Sequence, residues 1–122
     1  MKILSLSLSN FRNYESQQVT FDGGLNVLHG KNASGKTNMI ESVYLCSLLR
    51  SPRTTKDKEL IRFGKERAKI ELDFYGFDRH QQMKVEIEEK RKVQLNGIQF
   101  SSANKSLGEF LAVVFSPTHL SL

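Results

Sequence analysis

Leu4, Leu6 and Leu8 alternate with Ser5, Ser7 and Ser9, a period of two that predicts an opening strand with one face buried. The polar stretch from Asn10 and Asn13 to Gln18 reads as a turn, after which Val19 and Phe21 end a second short strand. Asp22-Gly23-Gly24 is a turn signal, and Leu25-Asn26-Val27-Leu28 is a short apolar strand running directly into Gly30. From Gly35 onward the period changes. Ile40, Val43, Tyr44, Ser47 and Leu48 fall at helical spacing, while Leu45, Cys46 and Leu49 make the other side apolar too, so the helix is expected to be covered on more than one face. Pro52 ends it near Arg50, because the residue before a proline is pushed out of helical geometry.

Residues 51–65 form a connection with one helical turn around Lys58 to Arg62. Ala68 to Phe77 and Met83 to Glu89 alternate apolar and charged residues, as half-exposed antiparallel strands do. Val93-Gln94-Leu95, Asn96-Gly97 and Ile98-Gln99-Phe100 make a hairpin whose turn residues suit type I′. A short helical piece near Lys105 to Phe110 and a last buried strand, Leu111 to Phe115, complete the pattern before Pro117. There is no internal repeat.

Charge changes this picture in one place. The chain carries a formal charge of +5, and the stretch from Arg50 to Lys69 holds eight cations against three acids, so the whole surplus lies in that stretch, around the connection. A surplus of that kind attracts phosphate backbones; a solvated face of mixed charge is the plainer alternative. At 122 residues and 39% hydrophobic, the sequence fits one packed domain or part of one. The longest apolar run is Phe110 to Phe115, where a membrane-spanning helix needs about 20 residues. No secretion signal is evident either, so a cytoplasmic protein is expected. Cys46 has no partner for a disulfide or a zinc cluster and reads as a small buried hydrophobe. His29, His80 and His119 have no paired ligands nearby and are assigned no metal.

One segment carries chemistry. Gly30-Lys31-Asn32-Ala33-Ser34-Gly35-Lys36-Thr37 matches G-x-x-x-x-G-K-[ST], the Walker A phosphate loop, with the required strand before it and helix after it. The glycines let the backbone close around a phosphate with its N–H groups inward, and the helix that begins there adds the positive end of its dipole. Lys36 is the catalytic candidate, reaching the β and γ phosphates, and the Thr37 hydroxyl is the candidate Mg²⁺ ligand. Asn104-Lys105-Ser106-Leu107 lacks the acid of a guanine-reading motif, so ATP is the expected nucleotide. A hydrolytic site also needs an apolar strand ending in Asp and a group that orients water. Leu111 to Phe115 ends instead in Ser116-Pro117, and Asp73 lies within an alternating strand. Hydrolysis by this chain alone is therefore expected to be negligible.

Several segments together resemble the RecF family of bacterial recombination and repair ATPases, which is related to SMC and ABC-type heads. They are Leu6 to Tyr14, Gly24 to Leu28, Gly30 to Tyr44, Arg50 to Thr54, Glu59 to Gly64 and Val114 to Pro117. The resemblance implies an α/β P-loop NTPase fold: an incomplete ABC/SMC-like head lobe, with a mixed sheet and an antiparallel β-subdomain. Residues 1–122 are then the N-terminal part of a head, with the Asp-ending strand and the signature motif farther along. It also implies ATP and Mg²⁺ as cofactors and an ATP-dependent homodimer. DNA junctions, RecO and RecR are the implied partners, in promoting RecA loading. Arg12, in Asn-Phe-Arg, is implied to lie beside the nucleotide, against the simpler reading of a capped strand end. Lys56 and Lys58 are candidate DNA contacts, whereas Phe11 is expected in the core.

Two departures stand out. Ala33 occupies a place where the family often has Gly, and Thr118-His119 follow Ser116-Pro117 where Glu-Asp is common. Two rival functions are a small-molecule P-loop kinase, which would need a lid with clustered Arg and no antiparallel insertion, and an interaction module with a vestigial loop.

Overall fold

The computed structural model describes residues 2–21, 33–49, 53–54, 56–101 and 103–115, with the side chains of residues 33–36 outside the description. Among the described residues six strands form one sheet: β1 (Lys2–Phe11), β2 (Tyr14–Thr20), β3 (Ala68–Gly76), β4 (Arg79–Ile87), β5 (Arg91–Leu95) and β6 (Ile98–Phe100). Their order is β2-β1-β3-β4-β5-β6 and every pairing is antiparallel. Helices α1 (Ala33–Leu48) and α2 (Lys105–Val114) accompany it, with a 3₁₀ turn at Asp57–Leu60 in the connection. The turn Asp22 to Gly24, the strand Leu25 to Leu28 and the segment from Ser116 onward lie outside the described residues.

The alternation read in β3 and β4 holds. Ala68, Ile70, Leu72 and Phe74, with Met83, Val85 and Ile87, are buried on one face; Lys69, Glu71 and Lys84 lie half-buried on the other. Leu45 and Cys46 of α1 and Leu107, Leu111 and Val114 of α2 belong to the same core. Phe74 meets Phe115 at 5.5 Å between ring centres, and Phe77 meets Phe110 at 5.7 Å. In the hairpin, Asn96 and Gly97 take φ of 53° and 82°, the left-handed pair that a type I′ turn requires. The Asn96 carboxamide oxygen also accepts from the Gln82 N–H at 2.9 Å.

Four expectations are corrected. In β1 the pairing slips between Ile3 and Ser5, so Ile3, Leu6 and Leu8 are buried while Leu4 is only partly so; a bulge resets which residues face inward. The stretch read as a turn up to Gln18 is mostly β2, paired with β1 from Phe11↔Tyr14 to Ser5↔Thr20. The turn itself is only Arg12-Asn13. A polar strand at a sheet edge is held by its ladder of hydrogen bonds, so it leaves little apolar signal.

The last apolar run is helix, not strand. Leu107, Leu111 and Val114 share the buried side of α2 while Val113 is 48% exposed, and the Asn104 side chain caps it by accepting from the Leu107 N–H at 2.9 Å. A five-residue apolar run cannot by itself distinguish a strand from a buried helix segment. Finally, α1 covers one face rather than several: Asn38, Glu41, Ser42, Leu45 and Cys46 are buried, while Ile40, Tyr44 and Leu48 remain 42–50% exposed.

Candidate nucleotide site

In any α-helix the first four N–H groups lack an intrahelical acceptor. In α1 they belong to residues 33–36, the fourth to seventh positions of the phosphate-loop motif. Thr37 follows, exposed. Gly30, Lys31 and Asn32 lie outside the described residues, as do the side chains of Ala33, Ser34, Gly35 and Lys36. Helix α1 thus starts inside the motif, as the loop-to-helix reading requires.

Just beyond Thr37 the helix turns two polar side chains inward. Glu41 is 1% exposed and Asn38 8%, and each is met by the turn between β1 and β2. Arg12 donates from Nε and Nη2 to the two Glu41 carboxylate oxygens at 2.8 and 2.9 Å. Asn38 donates to the Asn13 Oδ1 at 2.6 Å. Arg53, from the connection, donates to Asn38 Oδ1 at 2.8 Å and approaches Glu41 Oε1 at 3.4 Å. Two guanidiniums thus face one carboxylate, and the cluster keeps a net positive charge. Arg12 has φ of 51°, a region disfavoured for residues with a Cβ, and the fork of hydrogen bonds holds it there. Its pKa is raised, chiefly by the hydrogen bonds to Glu41, with burial opposing.

Main-chain bonds fix the connection to the same corner. The Arg12 N–H donates to the Leu60 carbonyl at 2.9 Å and the Arg62 N–H to the Asn10 carbonyl at 2.7 Å. Arg62 also reaches the Asn13 carbonyl with Nη1 at 2.7 Å. Arg91 of β5 donates to the carbonyl of Leu49, at the end of α1, and to Asp57. The result is an open groove lined by Asn13, Asn38, Ile61 and Gly64 together with Glu88, Glu89 and Lys90 of the β4–β5 turn.

The sequence-predicted residues distribute unevenly. Arg12 and Lys58 line the groove, whereas Lys56 is exposed outside its lining. Phe11 is fully buried, as expected. Asp73 is half-buried and accepts from the Ser5 hydroxyl at 2.8 Å. Cys46 is fully buried and its thiol is pushed up to about 12 by that burial. No cluster of three or more His, Cys, Asp or Glu side chains placed to hold a metal ion occurs among the described residues, and none of their helices is long and apolar enough to cross a membrane. Sequence reading missed Asn13, Asn38, Glu41 and Arg53 as a unit. One signal was available: Glu41 lies four residues before Leu45, a spacing that puts a carboxylate on the face of α1 that enters the core.

Comparison with known proteins agrees with this geometry. The family model described as "AAA domain" matches residues 5–113. The DNA replication and repair protein RecF of Clostridioides difficile (strain 630) is 39% identical over 123 residues, which cover all of this chain and 33% of that protein. RecF of Clostridium novyi (strain NT) is 41% identical over 124 residues, all of this chain and 34% of that protein. The chain thus spans about a third of the length of these relatives. Among solved structures, the recombination mediator protein RecF-ATP in the RecFOR pathway superposes with a TM-score of 0.76 at 27% identity, covering 85% of this chain and 29% of that one. The SMC head domain from Thermotoga maritima superposes at 0.58 with 18% identity, covering 84% and 40%, a likeness of fold alone. The expected fold class stands: an incomplete P-loop NTPase head of the RecF and SMC kind. By the extent of the family match the chain belongs to the AAA domain family, and along its whole length it is RecF-like.

Proposed function

We propose that this chain is the ATP-binding, N-terminal lobe of a RecF-like DNA repair ATPase. The observation that carries the reading is the motif Gly30 to Thr37 running into α1 at Ala33, in a chain similar throughout to proteins named for DNA replication and repair. The residues suit a triphosphate: N–H groups with no intrahelical acceptor at the start of a 16-residue helix, the exposed residue Thr37, and two guanidiniums around one carboxylate one turn on. In this reading the amides from Gly30 through Lys31, Asn32, Ala33, Ser34 and Gly35 wrap the phosphates, Lys36 neutralises them and Thr37 holds Mg²⁺. Bound Mg²⁺ supplies Lewis-acid charge at the phosphates. Arg12, already engaged by Glu41, sets the angle between the β1–β2 turn and α1 and lends charge to the site.

Hydrolysis, ATP-dependent pairing of two heads, recognition of DNA junctions and work with RecO and RecR belong to the whole protein. Lys58, and with less structural support Lys56, are the proposed DNA contacts. The six-stranded antiparallel sheet favours this reading over a small-molecule kinase. The test is binding of labelled ATP with Mg²⁺ to the full natural chain and to Lys36→Ala. A charge-assisted hydrogen bond contributes about 1.5–3 kcal/mol, so the variant should bind about 10- to 100-fold more weakly. Equal binding by both proteins would refute the phosphate-loop assignment and leave the interaction-module alternative.

A further inference from the structure

Phe63 is exposed to the limit, at 101% of the reference area, on a backbone that is firmly held. It is the second residue of a turn closed by the Lys65 N–H to the Arg62 carbonyl at 3.0 Å, and Gly64 at the third position has φ of 84°, as a type II turn demands. Beneath the turn, Ile61 bridges Phe11, and Arg62 donates from its N–H to the Asn10 carbonyl and from Nη1 to the Asn13 carbonyl, each at 2.7 Å. A large apolar ring so displayed adds nothing to the core. Its surroundings are cationic. The groove it lines carries eight Lys and Arg against four Glu, a surplus of four that falls to three once buried Glu41, between Arg12 and Arg53, is counted. These cations come from two segments: Lys58, Arg62 and Lys65 from the connection, and Lys90 and Lys92 from the β4–β5 turn and β5. Arg67 and Glu88, 3.9 Å apart, join the two.

We infer that this groove binds a single-stranded stretch of nucleic acid, with phosphates on the cations of both segments and an unpaired base stacked on Phe63. Charge spread over two segments of an open groove suits a chain of regularly spaced phosphates better than one compact anion. Charge alone would accept any polyanion. The ring selects nucleic acid, because every base offers a π face to an aromatic side chain, and a cationic groove with such a ring is how single strands are held without regard to sequence. In a duplex those faces are taken by neighbouring bases, so a ring carried on a tight turn at the surface stacks only where the strand is unpaired. Single-strand contact of this kind rests on the DNA-repair reading above but not on the phosphate loop, and the two can fail separately.

The test uses the full natural chain and four ligands: oligothymidylate, a DNA duplex of the same length, inorganic polyphosphate, which has no base, and ATP with Mg²⁺. Loss of one stacked base should make Phe63→Ala bind oligothymidylate about 5- to 150-fold more weakly with the same dependence on salt, and Phe63→Trp should restore the affinity. Phe63→Ala should keep its melting temperature and its affinity for the duplex, polyphosphate and ATP. Lys90→Ala and Lys92→Ala should weaken oligothymidylate and polyphosphate alike, each lowering the salt slope for the single strand by about 0.7. Unchanged oligothymidylate affinity in Phe63→Ala, an equal loss on polyphosphate or on the duplex, or an unaltered salt slope in both lysine variants would each overturn the inference. Unaltered protein that binds ATP but not oligothymidylate would overturn it too and leave the phosphate loop standing. Binding of oligothymidylate with the expected losses, but not of ATP, would remove the phosphate-loop reading and leave the single-strand groove.

Discussion

Arg12 and Glu41, 29 positions apart, are joined by two parallel hydrogen bonds of 2.8 and 2.9 Å, which tie the β1–β2 turn to the second turn of α1. Paired guanidinium and carboxylate planes fix orientation as well as distance. The helix whose first turn holds the phosphate-loop residues is therefore set rigidly against the sheet. Glu41 can lie in the core because Arg12 and Arg53 face it together.

Removing either partner should be costly, since it leaves an uncompensated charge in a dry place. Glu41→Ala is expected to lower stability by about 3–5 kcal/mol, read as a drop in the urea midpoint. Arg12→Ala should cost less, because Arg53 remains at 3.4 Å from Glu41. A double-mutant cycle showing no coupling between positions 12 and 41 would contradict the arrangement.

The closing helix makes a sharper distinction. In a strand, Leu111 and Val113 would share a face; in α2, Leu111 is fully buried and Val113 is 48% exposed. Leu111→Ala should cost about 2–5 kcal/mol, and Val113→Ala should stay within about 0.5 kcal/mol. Comparable losses at both positions would return this segment to the strand reading.

Legibility followed the same divide. Where one face of an element is buried and the other wet, as in β3 and β4, alternation alone located the strands. It failed where the period was interrupted or uninformative: the bulge after Ile3, the polar edge strand β2, and the apolar run of α2. The phosphate loop was legible because its chemistry constrains consecutive residues. The Arg12–Glu41–Arg53 cluster was not, because its members are distant in sequence and meet only once the β1–β2 turn and the connection close on α1.

Burial sets the behaviour of the one thiol. Cys46 in the folded chain is pushed up to about 12 from an ordinary value of 9.0. Folding therefore favours the protonated form, and that contribution is complete below pH 9 and lost as pH rises toward 12. Native protein at pH 8 should resist a thiol reagent and react fully once unfolded in denaturant. Rapid labelling of the native chain would place Cys46 outside the core.

Charge reversal separates the two lysines of the connection. Lys58→Glu, in the groove wall, should weaken junction-DNA binding by the full-length protein and reduce the dependence of affinity on salt by about one counterion. Lys56→Glu should do so less. Unchanged affinity and salt slope in both variants would take the connection out of the DNA footprint.

The most direct measurement of the central claim is amide hydrogen exchange across residues 30–37 of the full natural chain, with and without ATP and Mg²⁺. The account predicts strong protection of these amides on addition of nucleotide, with the half-protecting concentration raised about 10- to 100-fold in Lys36→Ala. Exchange in this segment that is indifferent to saturating nucleotide, or a half-protecting concentration that the substitution leaves unchanged, would contradict it.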